Sequence, residues 1–568
     1  MGWSRKGISC GRKKETSSGG TTMELGTIAA ALGVALAGMG LVGCTRPPAP
    51  SVPLFDNLGN HYYAITTDVP LAQRYFDQGL RLYYAFNHAE AIRAFEEAAR
   101  QDPDCSMCYW GIAQAHGPNI NLPMDRTAAL AAYEAIQKAV THEAQANPRE
   151  QMLIRALAAR YAADPPEVRT DLDSAYARGL ANVVREYPDD LEAATLYAES
   201  LMDLSPWNYW TAEGEPRPDT PTILEQLERV IAANPDHPGA NHLYIHAVEA
   251  VEPERAVAAA ERLAGLMPGA GHVVHMPGHI YIRVGRYLDA IAANEHAVHA
   301  DETYIRDQNP GFGIYTGGYY PHNYDFLAFA ASMIGRSRQA ITAAEKMASL
   351  APEEMLREPG MTFLQHHRTR HLQMKVRFAQ WDEILNVPAP PEDLPHARAM
   401  WNYARGRALA ARRETAEAEA ALVQVRTVAN EPEVAAQRME FNTVGAVLAI
   451  AVEVLAGHIE AAKKNFPQAV PHLREAARLE DALTYGEPPE WSVPVRQELG
   501  RVLLDAGRAA EAEQAFREDL HRFPDNGWSL IGLQAALAAQ RRFAEAREVG
   551  AQFTRVWSTA DIPLGYIF

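Results

Sequence analysis

Several familiar catalytic signatures are missing from this 568-residue chain. No Gly-rich loop with a following Lys succeeds a strand-like run, so a phosphate cradle of the nucleotide-binding kind is not expected. No nucleophile-elbow serine is present. Strand-type alternation is scarce throughout, which argues against a sheet-based fold. Basic charge is short as well. With 53 Lys+Arg against 71 Asp+Glu the formal net charge is −18, a poor match for a polyanion, and nucleic acid is not an expected partner.

What is present begins with an export segment over residues 1–43. Arg5, Lys6, Arg12, Lys13 and Lys14 form a basic lead, and Leu25 to Val42 is apolar and rich in Ala and Gly. The run ends in Leu41-Val42-Gly43-Cys44. That sequence resembles a bacterial lipobox, which implies cleavage before Cys44 and acylation of Cys44. A spanning anchor is the alternative, because about 18 apolar residues just reach membrane thickness. Residues 1–43 hold five basic and two acidic side chains, so their loss takes the balance to −21. Pro47, Pro48, Pro50 and Pro53 then predict a stiff tether over 44–70. The expectation is a lipid-anchored protein of the cell envelope that touches membrane only through its lipid.

The remainder follows one grammar. Leu80 to Phe95 reads as helix, turn and helix, closed by Asp102-Pro103. The same grammar returns at Gly285-Arg286-Tyr287-Leu288-Asp289-Ala290, at Gly335 to Ala340, at Gly507 to Ala512 and at Arg541 to Ala546. Ala256 to Ala290 and Ala512 to Ala546 are each 34 residues apart, the tetratricopeptide period. The predicted fold is therefore all-α: a tetratricopeptide-type α-solenoid, wound as a right-handed superhelix with a concave inner face. It divides into an N-terminal solenoid over 71–390 and C-terminal repeats over 391–568. Phrases such as YYAFNHAEAIRAF, CSMCYWGIA, GPNIN, HMPGHIYIRVGRY, YYPHNYDF and NGWSLIGL resemble those of large exported bacterial tetratricopeptide proteins, over nearly the whole chain beyond the signal. That resemblance implies the fold and export; it assigns no catalytic residue.

Eight of the twenty histidines lie between His237 and His299, where an even spread would place about two. His-x-x-x-His occurs twice, as His242 with His246 and His275 with His279. Residues four apart share a helix face. Closing-helix prolines Pro188, Pro235 and Pro268 place the next helices at Leu191, Pro238 and Gly271. The tetratricopeptide resemblance implies that positions 2, 5, 9 and 13 of those helices line the concave face. Both His pairs then fall at positions 5 and 9, with His272 and His322 at position 2 of their repeats and Arg283 at 13. The preceding repeat adds Glu192, Thr195, Glu199 and Asp203. Pro277, between His275 and His279, is expected to start or kink its helix and to loosen the second pair.

Two interruptions of the period flank the cluster. One carries Trp207-Asn208-Tyr209-Trp210; the other carries Gly311, Gly313, Gly317 and Gly318 with Tyr315, Tyr319 and Tyr320. Both read as aromatic flaps beside the histidines. Cys105 and Cys108 form Cys-x-x-Cys, open to three readings: a disulfide, a metal or redox role, or two reduced thiols. Tyr109 stands where a haem-attachment motif needs His. Leu243 and Met276 stand where a zinc-protease motif needs its Glu. His366, His367 and His371 read as packing or solvated residues.

Two functions follow. In the first, His242, His246, His275 and His279, completed by His322, Glu199 or Asp203, hold zinc, copper or iron, with hydrolytic or oxidative chemistry at an open position. His242, His246 and His279 are expected to converge, with Glu199 as the nearest carboxylate and candidate general base. In the second, the groove is a scaffold that binds a peptide, protein or small ligand without catalysis.

Overall fold

A computed structural model describes residues 52–562, so Cys44 and the export segment lie outside the described residues. Helices dominate, and among the described residues sheet hydrogen bonding is limited to three isolated bridges, such as Asn119 with Leu122. The elements used below are α1 (Pro70–Tyr84), α2 (His88–Gln101), α3 (Leu191–Leu204), α4 (Pro238–Val248), α5 (Val257–Leu266), α6 (Gly271–His275), α7 (Pro277–Arg283), α8 (Tyr287–Gln308), α9 (Tyr320–Met333), α10 (Ser337–Leu350), α11 (Gly527–Ala539) and α12 (Phe543–Val556). Helices α3, α4 and α6 start at Leu191, Pro238 and Gly271, where the proline register puts them.

One backbone feature ties these helices into repeats. A left-handed residue recurs at Phe86, Gly285, Gly335, Ala379, Arg413, Lys464, Gly507 and Arg541, with φ between 53° and 77°. Five residues after each comes a small or branched apolar side chain buried at the helix crossing: Ala91, Ala290, Ala340, Ile384, Ala418, Ala469, Ala512 and Ala546. The left-handed residue reverses the chain, and the following helix then drops its buried residue against the preceding one. In the first hairpin the crossing is very close. A methyl group on Gly79 would lie 2.6 Å from the Phe95 ring, so α1 and α2 meet over that ring.

The superhelix closes on itself. Near the chain's end, Trp528 Nε1 donates to Ser332 O at 2.7 Å, and the Asp561 carboxylate accepts from Ser337 N and Ser337 Oγ, both at 2.7 Å. At the other end, α1 packs against α4 across the turns between them. The concave side expected to be an open groove is consequently filled at the histidines. Every residue of α4 and α6 is buried, and in α9 only His322 is not. A helix buried all round belongs to a core, not to a groove wall.

The stretch read as a tether over 44–70 falls among described residues from Val52 on, and there it is packed. Tyr75 Oη donates to Val52 O at 2.7 Å, Phe55 N donates to Gln78 Oε1 at 2.7 Å, and Gly269 N donates to Asn57 O at 2.8 Å. Cys105 and Cys108 are disulfide-bonded at the start of the helix Ser106–Ala115, with Cα atoms 5.4 Å apart. That is the second hairpin, separate from α4 to α9.

Candidate metal centre

Four consecutive inner helices carry the imidazoles. On α4, His242 Nδ1 lies 2.7 Å from Tyr84 O. A carbonyl only accepts, so Nδ1 holds the proton and Nε2 presents its lone pair. His246, one turn on, sets Nδ1 3.4 Å from Glu249 Oε1 and Nε2 3.2 Å from His242 Nε2. The pair on α6 and α7 repeats this arrangement. His275 Nδ1 faces Asn294 Oδ1 at 3.3 Å, and the amide is fixed that way round because Asn294 Nδ2 donates to Ala290 O at 2.8 Å. His279 Nδ1 lies 2.8 Å from Glu249 Oε2, an ion-pair contact bent from a straight hydrogen bond, and its Nε2 is 3.1 Å from His275 Nε2. Pro277 begins α7, and the second pair still brings its Nε2 atoms as close as the first, at 3.1 against 3.2 Å.

Each pair has a third imidazole from the next repeat. His272 of α6 joins His242 and His246, and His322 of α9 joins His275 and His279; within each trio the ligand atoms lie within 4.8 Å of one another. His272 is buried, yet neither of its ring nitrogens has a hydrogen-bond partner. Aromatic rings wall the centre. Phe86 is 4.5 Å from His242 and 5.3 Å from His272, Tyr319 is 4.5 Å from His272, Trp207 meets His246 edge-on at 5.0 Å, and Phe326 is 4.5 Å from His279. Both interruptions of the period thus deliver an aromatic ring onto the histidines, and the segment Tyr315–Tyr319 does so as a π-helical turn.

Burial disfavours the charged form of His242, His246, His272, His275 and His322. Burial, and then the neighbouring imidazoles, push His242, His272 and His275 well below the ordinary histidine range, and burial takes His322 down to about 3. Glu249 is fully buried, which by itself would raise its pKa, but His279 and His246 outweigh burial and hold it down to about 2. Glu487 is pushed the other way, first by burial and then by the charge of Glu249. Its carboxyl accepts from Tyr485 and faces Arg283 Nε at 3.4 Å.

The sequence register gathers the six histidines but misassigns the carboxylate. Glu199 does not reach the imidazoles; its Oε2 accepts from Tyr83 Oη at 2.7 Å, and burial followed by the charge of Asp203 pushes it up to about 8. Asp203 is paired with Arg160 at 2.8 Å. The reason is closure of the superhelix, which brings the C-terminal tyrosines of α1 to the acids of α3. His242, His246 and His279 do not converge on one point either, because the Nε2 of His279 turns to His275. The carboxylate that does join is Glu249, three residues after His246; its only sequence signal is that i, i+3 spacing. His296 and His299 are exposed and stand apart.

Two other histidine groups differ in kind. His61 Nε2 and His237 Nε2 lie 3.1 and 3.5 Å from Glu192 Oε2, and Tyr84 Oη donates to the same carboxylate. His237 Nδ1 accepts from Ala240 N at 3.1 Å, so its proton sits on Nε2 and faces the carboxylate. That group satisfies itself. His366 Nδ1 meets His396 Nε2 at 3.2 Å, and His367 Nε2 meets Glu440 at 3.0 Å, in keeping with packing roles.

In the paired trios, by contrast, Nε2 atoms face one another, and their lone pairs oppose when the protons sit on Nδ1. A tetrahedral ion with ligand bonds of about 2.0 to 2.1 Å sets its nitrogens roughly 3.3 Å apart. The spacings of 3.1 and 3.2 Å fit that geometry. In the two pairs the Nδ1 atoms face a carbonyl, a carboxylate and an amide oxygen, the kind of outer contact that fixes imidazole orientation in metal sites.

No family model and no curated protein matches the chain. Among solved structures it is similar to the human IFIT1 dimer with m7Gppp-AAAA, at 14% identity over 87% of this chain and 91% of that one, with a TM-score of 0.30. It is also similar to the P58(IPK) TPR domain, at 11% identity over 83% of this chain and 98% of that one, with a TM-score of 0.22. By the turn and crossing pattern of its own helix pairs, the chain is an all-α solenoid of the tetratricopeptide type.

Proposed function

We propose that this protein binds a transition metal, of the zinc, copper or iron class, through the buried imidazoles of α4, α6, α7 and α9. The observation that carries the reading is the facing of Nε2 atoms at 3.1 and 3.2 Å with both Nδ1 partners acceptor-only. Exchanging the tautomers of His246 and His279 moves the clash to Glu249, where lone pairs would then face carboxylate oxygens. Either way the cluster needs a cation. Burial weighs against an extra proton on His246 as that cation. Neutral imidazole suits all three metals, and a shell of three protein ligands leaves a coordination position open, as in sites that activate water or oxygen rather than in closed structural ones. Burial of all of α4 weighs against a peptide lying over these histidines. The basic lead, apolar run and Cys44 support a place in the cell envelope on sequence grounds.

The test is the metal content of wild type and of the His242→Ala, His246→Ala double variant, compared at equal helical circular dichroism. Metal that copurifies or is taken up by wild type, raises its melting temperature, and is lost with these two side chains is the expected result. Wild type that neither contains metal nor takes it up from zinc, copper or iron salts overturns the reading.

A further inference from the structure

Resting on the metal reading, we infer that the centre holds two ions, one at each of two successive repeat junctions, and that Glu249 is their shared outer partner. The repeat register generates the pair. One trio is positions 5 and 9 of the repeat starting at Pro238 with position 2 of the repeat starting at Gly271, namely His242, His246 and His272. The other is positions 5 and 9 of that next repeat with position 2 of its successor, namely His275, His279 and His322. The same spatial rule is thus used twice, one repeat apart.

Single-ion arrangements fit less well. His246 and His279 have ring centres 5.2 Å apart and look like partners, but their Nε2 atoms point to different neighbours, His242 and His275. One ion bound by both would have to use their Nδ1 atoms, and those face the two oxygens of Glu249. His272 supplies an independent argument. It is fully buried, both of its nitrogens lack a partner, and its ring lies 5.0 Å from that of His242. A buried imidazole in that condition costs free energy unless something binds it. An ion held with His242 and His246 supplies that contact. An ion lodged at Glu249 does not.

Glu249 then has a defined job. One oxygen faces His246 Nδ1 at 3.4 Å and the other faces His279 Nδ1 at 2.8 Å, so one carboxylate orients a ligand in each trio and offsets part of the charge of both ions. It is a positioning residue, not a ligand.

The experiment is a titration of the chelator-stripped full chain with Co2+ alone, read by bound metal after gel filtration and by visible absorption. Wild type is expected to take two equivalents. His272→Ala and His322→Ala should each keep one equivalent at near wild-type affinity; His322 is less completely buried than His272, which makes its variant the safer to fold. Glu249→Gln should keep both sites and weaken each by about 10- to 100-fold, whereas a merely structural role would leave Co2+ affinity unmoved. One equivalent that survives both single histidine variants but vanishes in Glu249→Gln would place a lone ion at Glu249, overturning the two-ion inference while leaving metal binding intact. No Co2+ bound by wild type removes the metal reading itself.

Discussion

Glu199 keeps a proton that most carboxyls shed by neutral pH, because burial and the adjacent Asp203 push its pKa to about 8. An unfolded glutamate titrates near about 4.3. Between those values the folded chain binds a proton that the unfolded chain does not, so stability falls as pH rises through the window. The sign follows from the raised folded value: the contribution is complete below about pH 4 and lost by about pH 8. Glu199→Gln removes the titration while still offering Tyr83 an acceptor. The variant should therefore gain on wild type from pH 5 to pH 8, by an amount on the order of a few kcal/mol. Denaturant midpoints at pH 5, 6.5 and 8 check this. Parallel curves for the two proteins would show that Glu199 is ionised throughout. Metal content should be unchanged, since the sequence register brought Glu199 to the right face but not to the centre.

Between elements, closeness decides orientation. Gly239, in the first turn of α4, lies directly under the Tyr84 ring, where an added methyl would clash at 2.4 Å from a ring carbon. That approach lets Tyr84 O reach His242 Nδ1 at 2.7 Å. Gly239→Ala should push α1 off α4, cost about 1 to 3 kcal/mol and release the imidazole from its fixed orientation. Gly265, exposed in α5 with nothing near its missing Cβ, is the matched control. Gly265→Ala should be neutral or stabilise by roughly 0.5 kcal/mol through helix propensity alone. Thermal melts of both variants, with and without added Zn2+, separate the effects: only Gly239→Ala should lose part of the metal-dependent rise in melting temperature. Equal responses would mean that the α1 contact does not orient His242.

At the scale of the molecule, closure distinguishes this chain from an open repeat array. In an open array each repeat senses only its neighbours, and a change at one end leaves distant repeats protected. Here Trp528 of α11 donates to Ser332 O at the end of α9, and Arg377 lies over its ring at 4.6 Å. Asp561 caps α10 from still farther along the chain. Trp528→Ala should therefore speed amide exchange in α9 and α10, nearly 200 residues away in sequence, and not only in α11 and α12. Exchange confined to the last two hairpins would mark the closure contacts as incidental. Since α9 carries His322, loosening it should also weaken the trio to which that residue belongs.

The amino-acid sequence by itself determines the helical repeat, because hairpin turns and crossings are local. A left-handed turn residue followed five residues later by a small or branched apolar side chain needs no distant partner to be read, from Phe86 and Ala91 through Arg541 and Ala546. It also determines that both His pairs and the position-2 histidines, His272 and His322, share one face, since that is helix periodicity and repeat spacing. Only the tertiary structure decides which atoms meet. Nothing local tells that α1 returns to cover α4, that Tyr83 takes Glu199 out of play, or that the concave face is a filled core. The choice of Glu249 over Glu199, and the turning of His279 toward His275 instead of His246, follow from contacts across turns of a closed superhelix, whose curvature is a sum of small rotations that no single repeat encodes.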